Sequence, residues 1–155
     1  MSNRIIVLGA FLIGLGLGAV SYKSHSEGKA PWQKLATIAS GGPADYCALK
    51  DRCLAVYVAP WCPACNSIAP LLKKSLAASR TKKEFGMKIF VGQERQPGHN
   101  DRVAAEFGPG TFVDADGTVL AKLGVSYFPS FFVLDKQGEI LLSGDEAREW
   151  AQKNL

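Results

Sequence analysis

Cysteine is the residue type whose spacing in this chain points most directly to chemistry. The 155-residue sequence has four of them, in two pairs: Cys47 with Cys53, and Cys62 with Cys65. Cys62-Pro-Ala-Cys65 stands between a short apolar run and a segment of helical periodicity. The first backbone N–H groups of a helix have no intrahelical acceptor and carry partial positive charge, so they stabilise a thiolate. We therefore predict that Cys62 is an attacking thiolate and that Cys65 is the resolving thiol of a disulfide exchange.

Other interpretations of these cysteines stay open at the level of sequence. Cys62 and Cys65 are compatible with a structural disulfide, and the four cysteines together are compatible with a zinc or copper(I) site. The spacing Cys-x5-Cys-x8-Cys-x2-Cys is not usual for a zinc ribbon, and we predict no metal. Asn66 excludes a haem attachment site, because that motif requires histidine at this position.

The first pair precedes the apolar run rather than following it. In an extracytoplasmic domain, Cys47 and Cys53 are predicted to form a local structural disulfide that pins the loop before a central strand. A second redox pair that passes electrons to Cys65 is the alternative. The sequence alone does not separate these two roles.

The segments around the cysteines alternate between the periodicities of strands and helices. Residues 54–59 form an uncharged, β-branched run, which predicts a strand buried on both faces of a sheet. Asn100 is predicted to cap a helix that ends at Gly108. The other predicted elements are a helix over 64–79, a strand over 87–91, a helical turn over 119–123, hairpin strands over 130–134 and 139–142, and a helix over 145–154. Their order indicates an α/β sandwich with mixed strand directions.

The amino terminus has the character of a targeting segment. Residues 5–20 are uncharged and follow Arg4; as a helix they span about 24 Å, against ~30 Å for a bilayer core. An uncleaved anchor is preferred, and a cleavable signal peptide is the alternative, since Ala19-Val20-Ser21 has the small-x-small pattern of a cleavage site. The predicted organisation is a hydrophobic helix as signal-anchor or signal peptide over 1–22, a linker over 23–31, and one domain outside the cytoplasm over 32–155.

Composition and charge limit the classes of function. Hydrophobic residues make up 47% of the chain, which is typical of a globular domain with a buried core. A formal net charge of +4, spread along the chain, does not indicate nucleic acid as a partner. The polar stretch 92–98 is predicted to be a solvated loop, with partner recognition as the alternative.

Two segments resemble the thioredoxin superfamily. Ala59-Pro-Trp-Cys-Pro-Ala-Cys65 looks like its active-site segment, with a tryptophan directly before the first cysteine. Gly124-Val-Ser-Tyr-Phe-Pro129 resembles the segment that holds the cis-proline of the family. The resemblance implies a thioredoxin-like three-layer α/β sandwich with a central mixed β-sheet, in which Trp61, Phe128 and Pro129 bind the substrate.

A longer stretch, residues 114–140, resembles membrane-tethered, extracytoplasmic thiol reductases such as TlpA and ResA. This resemblance implies a protein thiol–disulfide oxidoreductase without a cofactor, anchored to a membrane or secreted. Such a protein reduces client protein cysteines and exchanges electrons with a membrane or envelope redox partner. The alternatives are a disulfide oxidase or isomerase of the same fold, and a membrane-tethered copper or zinc carrier.

One position departs from the thioredoxin pattern. Cytoplasmic thioredoxins have a buried aspartate six residues before the first cysteine, whereas this chain has Val56 there. The strand therefore supplies no carboxylate to relay a proton from Cys65. Water, or the region of Glu94 and Asp114, is expected to provide the route instead.

Overall fold

The structure is a computed structural model that describes residues 46–47, 50–81 and 84–155. The predicted signal-anchor over 1–22, the linker over 23–31 and the start of the domain at residue 32 lie outside the described residues. Within the described ranges, no helix has the length and hydropathy of a membrane span.

Five strands and four helices make up the described part of the chain. In chain order they are β1 (Arg52–Val58), α1 (Pro63–Ser79), β2 (Gly86–Gly92), α2 (His99–Phe107), β3 (Thr111–Asp114), α3 (Thr118–Leu123), β4 (Ser130–Asp135), β5 (Ile140–Ser143) and α4 (Gly144–Asn154). The strands form one sheet in the order β3-β2-β1-β4-β5. β1, β2 and β3 are mutually parallel, and β4 is antiparallel to both β1 and β5. The predicted mixed sheet is therefore confirmed.

The central strand β1 separates two apolar layers. Leu54, Val56 and Val58 pack in the layer that contains residues of α1, α2 and α4, whereas Ala55 and Tyr57 pack in the layer that contains residues of α3. All five residues are at most 1% exposed. This confirms the prediction of a strand buried on both faces, and it gives the sheet a helical layer on each side.

The start of α2 differs from the sequence prediction. Asn100 does not cap this helix; the N-cap is Gly98, whose φ of 74° suits a residue without a Cβ. The backbone N–H of Asn100 instead donates to the Glu94 carboxylate at 3.0 Å. A carboxylate is favoured at a helix N-terminus, so Glu94 takes the part that the sequence assigned to Asn100.

A disulfide joins Cys47 to Cys53 at the beginning of β1. Both cysteines are buried, and a Cβ at Gly86 would overlap the backbone of residues 46 and 47, so these two residues lie directly on β2. Val58 lies at the other end of β1, about 17 Å from Cys53 at ~3.3 Å per residue. Disulfide exchange requires contact between sulfur atoms. Direct electron transfer from this pair to Cys65, which follows the far end of β1, therefore has no path within one molecule.

We expect replacement of both Cys47 and Cys53 by alanine to lower the free energy of unfolding by about 2 kcal/mol or more, because the bond restricts the unfolded chain. Urea unfolding followed by circular dichroism measures the change. The matched control, Cys62→Ala with Cys65→Ala, removes two other buried cysteines from the same molecule. An unfolding free energy for the Cys47/Cys53 variant that equals that of the unsubstituted protein would contradict a structural role for this disulfide.

Candidate active site

Cys62 lies where the chain leaves the sheet and enters α1. It is the N-cap of that helix, with extended backbone angles, and its Sγ accepts the backbone N–H of Cys65 at 3.2 Å. Pro63 occupies the first helical position, where the absence of an N–H costs no hydrogen bond. Both thiols are free in the structure, and they are 5% and 3% exposed. The helix N-terminus thus places an N–H group on the sulfur atom predicted to attack.

The start of β4 brings a second segment against Cys62. The thiol of Cys62 donates to the carbonyl oxygen of Phe128 at 3.5 Å, and the peptide bond between Phe128 and Pro129 is cis. β4 pairs directly with β1, so the residues before β4 reach the same end of the sheet as those after β1. Residues separated by 66 positions in sequence, Cys62 and Phe128, therefore share one site.

Trp61 forms an aromatic surface beside Cys62. Its ring meets the ring of Phe128 edge-on, with centroids 5.6 Å apart, and its Nε1–H donates to the carbonyl of Gln93 in the loop after β2. The guanidinium carbon of Arg95 lies 3.8 Å from the centroid of the indole. The predicted substrate-binding residues Trp61 and Phe128 are thus in contact. Gln93 and Arg95 lie beside them, in the stretch 92–98 that was predicted to be a solvated loop.

Phe128 is supported from the opposite side by a buried polar pair. Its ring lies 5.9 Å from the ring of Tyr57, whose hydroxyl donates to the Asp114 carboxylate at 2.7 Å. Asp114 also accepts two backbone N–H groups at the start of α3, at 3.0 and 2.9 Å. Burial, together with the hydrogen bond to Asp114, raises the pKa of Tyr57, so the phenol stays protonated and continues to donate.

Gly92 makes room for this pair. A Cβ at this position would overlap the hydroxyl of Tyr57, which crosses the space that a side chain on β2 would otherwise occupy. A residue larger than glycine would have to displace Tyr57 from Asp114. The end of β2 is therefore shaped by a residue of the neighbouring strand.

The proton of Cys65 needs a route, because burial and the hydrogen bond with Cys62 raise the pKa of the Cys65 thiol to about 12. The structure does not place Glu94 or Asp114 against Cys65. The Asp114 carboxylate is bonded to Tyr57 in the layer on the other side of β1, and the Glu94 carboxylate is bonded to α2. The predicted relay through these two carboxylates is therefore not supported.

A small cavity adjoins Cys65 between α1 and α2. Its volume of about 40 Å³ is enough for a water molecule. The salt bridge between Lys73 and Glu106, with a separation of 3.2 Å, also borders it. Its lining is completed by Val58, Ala59, Asn66, Ala69, Val103 and Phe107. Of the two routes predicted from sequence, this geometry favours water.

The arrangement also bears on metal binding. Cys47 and Cys53 are bonded to each other, so they do not offer thiolates for a four-cysteine site. Within the described ranges, no group of three or more His, Cys, Asp or Glu side chains is arranged so that it could hold a metal ion. Cys62 and Cys65 are the two thiols that the site presents to a partner.

No family model and no curated protein sequence matches this chain, but solved structures do. The reduced N-terminal domain of PilB from Neisseria meningitidis has a TM-score of 0.59 at 21% identity, covering 78% of this chain and 91% of that one. A secreted disulfide oxidoreductase of Mycobacterium tuberculosis, homologous to E. coli DsbE, has a TM-score of 0.52 at 25% identity, covering 68% and 78%. The fold is thioredoxin-like.

A third neighbour of this thioredoxin-like domain is the exposed lipoprotein thioredoxin Etrx1 of Streptococcus pneumoniae. Its TM-score is 0.52 at 16% identity, with coverage of 68% of this chain and 85% of that one. A disulfide oxidoreductase and a thioredoxin are thus among the structural neighbours, as the sequence resemblance implies. One of the neighbours is described as secreted and another as an exposed lipoprotein.

The raised pKa of Cys65 predicts how resolution depends on pH. Because the protonated thiol is not a nucleophile, the rate at which Cys65 resolves a mixed disulfide on Cys62 should rise about tenfold per pH unit between pH 6 and 9. The hydrogen bond that the Cys65 thiol donates to Cys62 is lost in the mixed disulfide, but burial remains and keeps the pKa of Cys65 raised. Acid quenching and mass spectrometry follow the decay of the intermediate. A rate that is flat across this range would be inconsistent with a buried, protonated Cys65.

The Tyr57–Asp114 pair predicts a stability effect without loss of packing. Tyr57→Phe should lower the free energy of unfolding by about 1–3 kcal/mol, because it removes a hydrogen bond to a buried carboxylate. Tyr127→Phe is the matched control, since Tyr127 is 46% exposed and surface substitutions change stability by about 0.5 kcal/mol or less. Urea unfolding measures both. Equal effects of the two substitutions would show that the buried bond contributes nothing.

Proposed function

We propose that this protein is a thiol–disulfide oxidoreductase that reduces disulfides of client proteins outside the cytoplasm. One observation supports it above the others: the Sγ of Cys62 accepts a helix N-terminal N–H and lies 3.5 Å from the carbonyl of Phe128. A structural disulfide needs neither feature. A nucleophile that meets an extended client segment needs both a stabilised thiolate and a surface beside it.

The proposed reaction is two successive thiol–disulfide exchanges. The Cys62 thiolate attacks one sulfur of the client disulfide, a Cys62–client mixed disulfide forms, and the other client sulfur leaves as a thiolate and takes up a proton. Cys65 loses its proton to water and attacks Cys62 Sγ, which releases the second client thiolate. The client gains two electrons and two protons, and the protein ends with a Cys62–Cys65 disulfide. A dithiol donor from a membrane or envelope redox partner then restores both thiols.

Substrate binding is assigned to the surface around Cys62. Trp61 and Phe128 offer adjoining aromatic rings, and Pro129 follows at the point where the chain enters β4. Aromatic rings bury large apolar area with little loss of conformational entropy, which suits contact with clients of varied sequence. Tyr57 packs against Phe128 and is itself fixed by its hydrogen bond to Asp114, which holds this surface in place.

The location and the direction of electron flow rest on separate arguments. The apolar run over 5–20, the Cys47–Cys53 disulfide and the secreted or lipoprotein neighbours support a place outside the cytoplasm, where disulfides persist. The resemblance of residues 114–140 to membrane-tethered thiol reductases supports reduction of clients over oxidation. An oxidase of the same fold would run the same two exchanges in reverse.

The reduction potential of the Cys62–Cys65 couple tests the proposal. We expect a value near that of thioredoxin, about −270 mV, and a value near the ~−120 mV of a strong oxidase would reverse the assigned direction. Insulin reduction should be abolished by Cys62→Ser, whereas Cys65→Ser should accumulate a mixed disulfide on Cys62. The control is Cys47→Ala with Cys53→Ala, which should retain activity. Stoichiometric copper or zinc in reduced, inactive protein would favour a metal carrier instead.

A further inference from the structure

The loop between β2 and α2 brings a cation to the candidate active site. Arg95 is exposed, and its guanidinium packs on the face of the Trp61 indole at 3.8 Å. A guanidinium stacked on an aromatic ring retains N–H donors along its edges. The site therefore presents a positive charge on the residue directly before Cys62.

This part of the loop is fixed on both sides of Arg95. On one side, the Gln93 carbonyl accepts the Trp61 indole N–H, and Gln93 has a φ of 62°. Non-glycine residues with such a φ are uncommon and cluster at binding and active sites. On the other side, the backbone N–H of Asn100 donates to the Glu94 carboxylate, which ties the start of α2 back to the loop. The loop is thus exposed, as predicted, yet attached to the active site at a defined point.

Arg95 has no acidic partner in the part of the chain that the structure describes. Its stacking on Trp61 is its only interaction there, and the neighbouring Glu94 is directed at the N-terminus of α2. The other basic residue close to the cysteines, Lys73, differs in this respect because it pairs with Glu106. The guanidinium edge of Arg95 is therefore open to an anion from another molecule.

The positive charge is continuous with the surface that meets the client. The face of Trp61 packs on Arg95, and the ring of Trp61 meets the ring of Phe128 at nearly a right angle. The Phe128 carbonyl accepts the hydrogen bond of the Cys62 thiol. A client segment whose sulfur lies on Cys62 has its neighbouring residues on these rings. A carboxylate one or two residues from the client cysteine is then within reach of the guanidinium, which binds carboxylates through two parallel N–H bonds.

We propose that Arg95 is a specificity-determining residue that selects client segments with aspartate or glutamate next to the reactive cysteine. This inference rests on the proposed function. The loop over 92–98 would then recognise partners, which was the alternative interpretation of this stretch from sequence alone.

The test compares two peptide disulfides reduced by the full chain. Each is a symmetric dimer of one cysteine peptide, with aspartates flanking the cysteine in the first and lysines in the second. Each rate is divided by the rate with dithiothreitol, which corrects for the intrinsic reactivity of the two disulfides. We expect the protein to prefer the acidic peptide about threefold at low salt, mainly through KM, because exposed ion pairs contribute modestly. The preference should fall at 0.5 M salt.

Charge reversal at Arg95 separates this role from general effects of net charge. Arg95→Glu should invert the preference, and Arg95→Gln should bring it close to one. Arg102→Glu, which changes an exposed arginine on α2 by the same amount, should keep the preference of the unsubstituted protein. The inference would be overturned if the Arg95→Glu and Arg102→Glu variants had the same preference for the acidic peptide. It would also be overturned if the unsubstituted protein reduced both peptides at the same corrected rate. If the unsubstituted protein reduced neither peptide, the proposed function itself would be overturned.

Discussion

The hydrogen bond from the Cys65 backbone N–H, in the first turn of α1, to Cys62 Sγ is the interaction on which the site depends. It exists because a strand that is buried from Cys53 to Val58 ends four residues before Cys62 and a helix starts directly after this cysteine. The helix supplies partial positive charge only within its first turn, so displacement by a few residues would remove the effect. Burial of β1 therefore determines the electrostatic environment of a sulfur atom that lies outside the strand.

The two layers of the sheet contribute in different ways to this contact. The layer that contains α1 holds Cys62 and Cys65 and keeps Cys65 away from bulk water. A cavity large enough for a water molecule adjoins Cys65. The layer that contains α3 holds Tyr57 and Asp114, which support Phe128 from behind. One layer thus sets the reactivity of the sulfurs, and the other positions the surface that a client would meet.

Local patterns were enough to predict the central strand, the active-site helix and the mixed sheet. The spacing of Cys62 and Cys65 was also enough to single out these two thiols, whereas Pro129 was linked to them only through the resemblance to the thioredoxin superfamily. The bonds from Tyr57 to Asp114 and from Trp61 to Gln93 span 57 and 32 residues, and no local periodicity encodes them. The relay through Asp114 was not supported for the same reason, since pairing between distant strands decides which layer receives its carboxylate.

Gly92 and Tyr57 occupy a single volume at the end of two adjacent strands. A larger residue at position 92 requires a smaller residue at position 57, so the two positions are expected to vary together. This pair of positions lies behind the aromatic rings near Cys62 and touches no sulfur. The shape of the aromatic surface beside Cys62 can therefore be changed from inside the protein without any change to the cysteine motif.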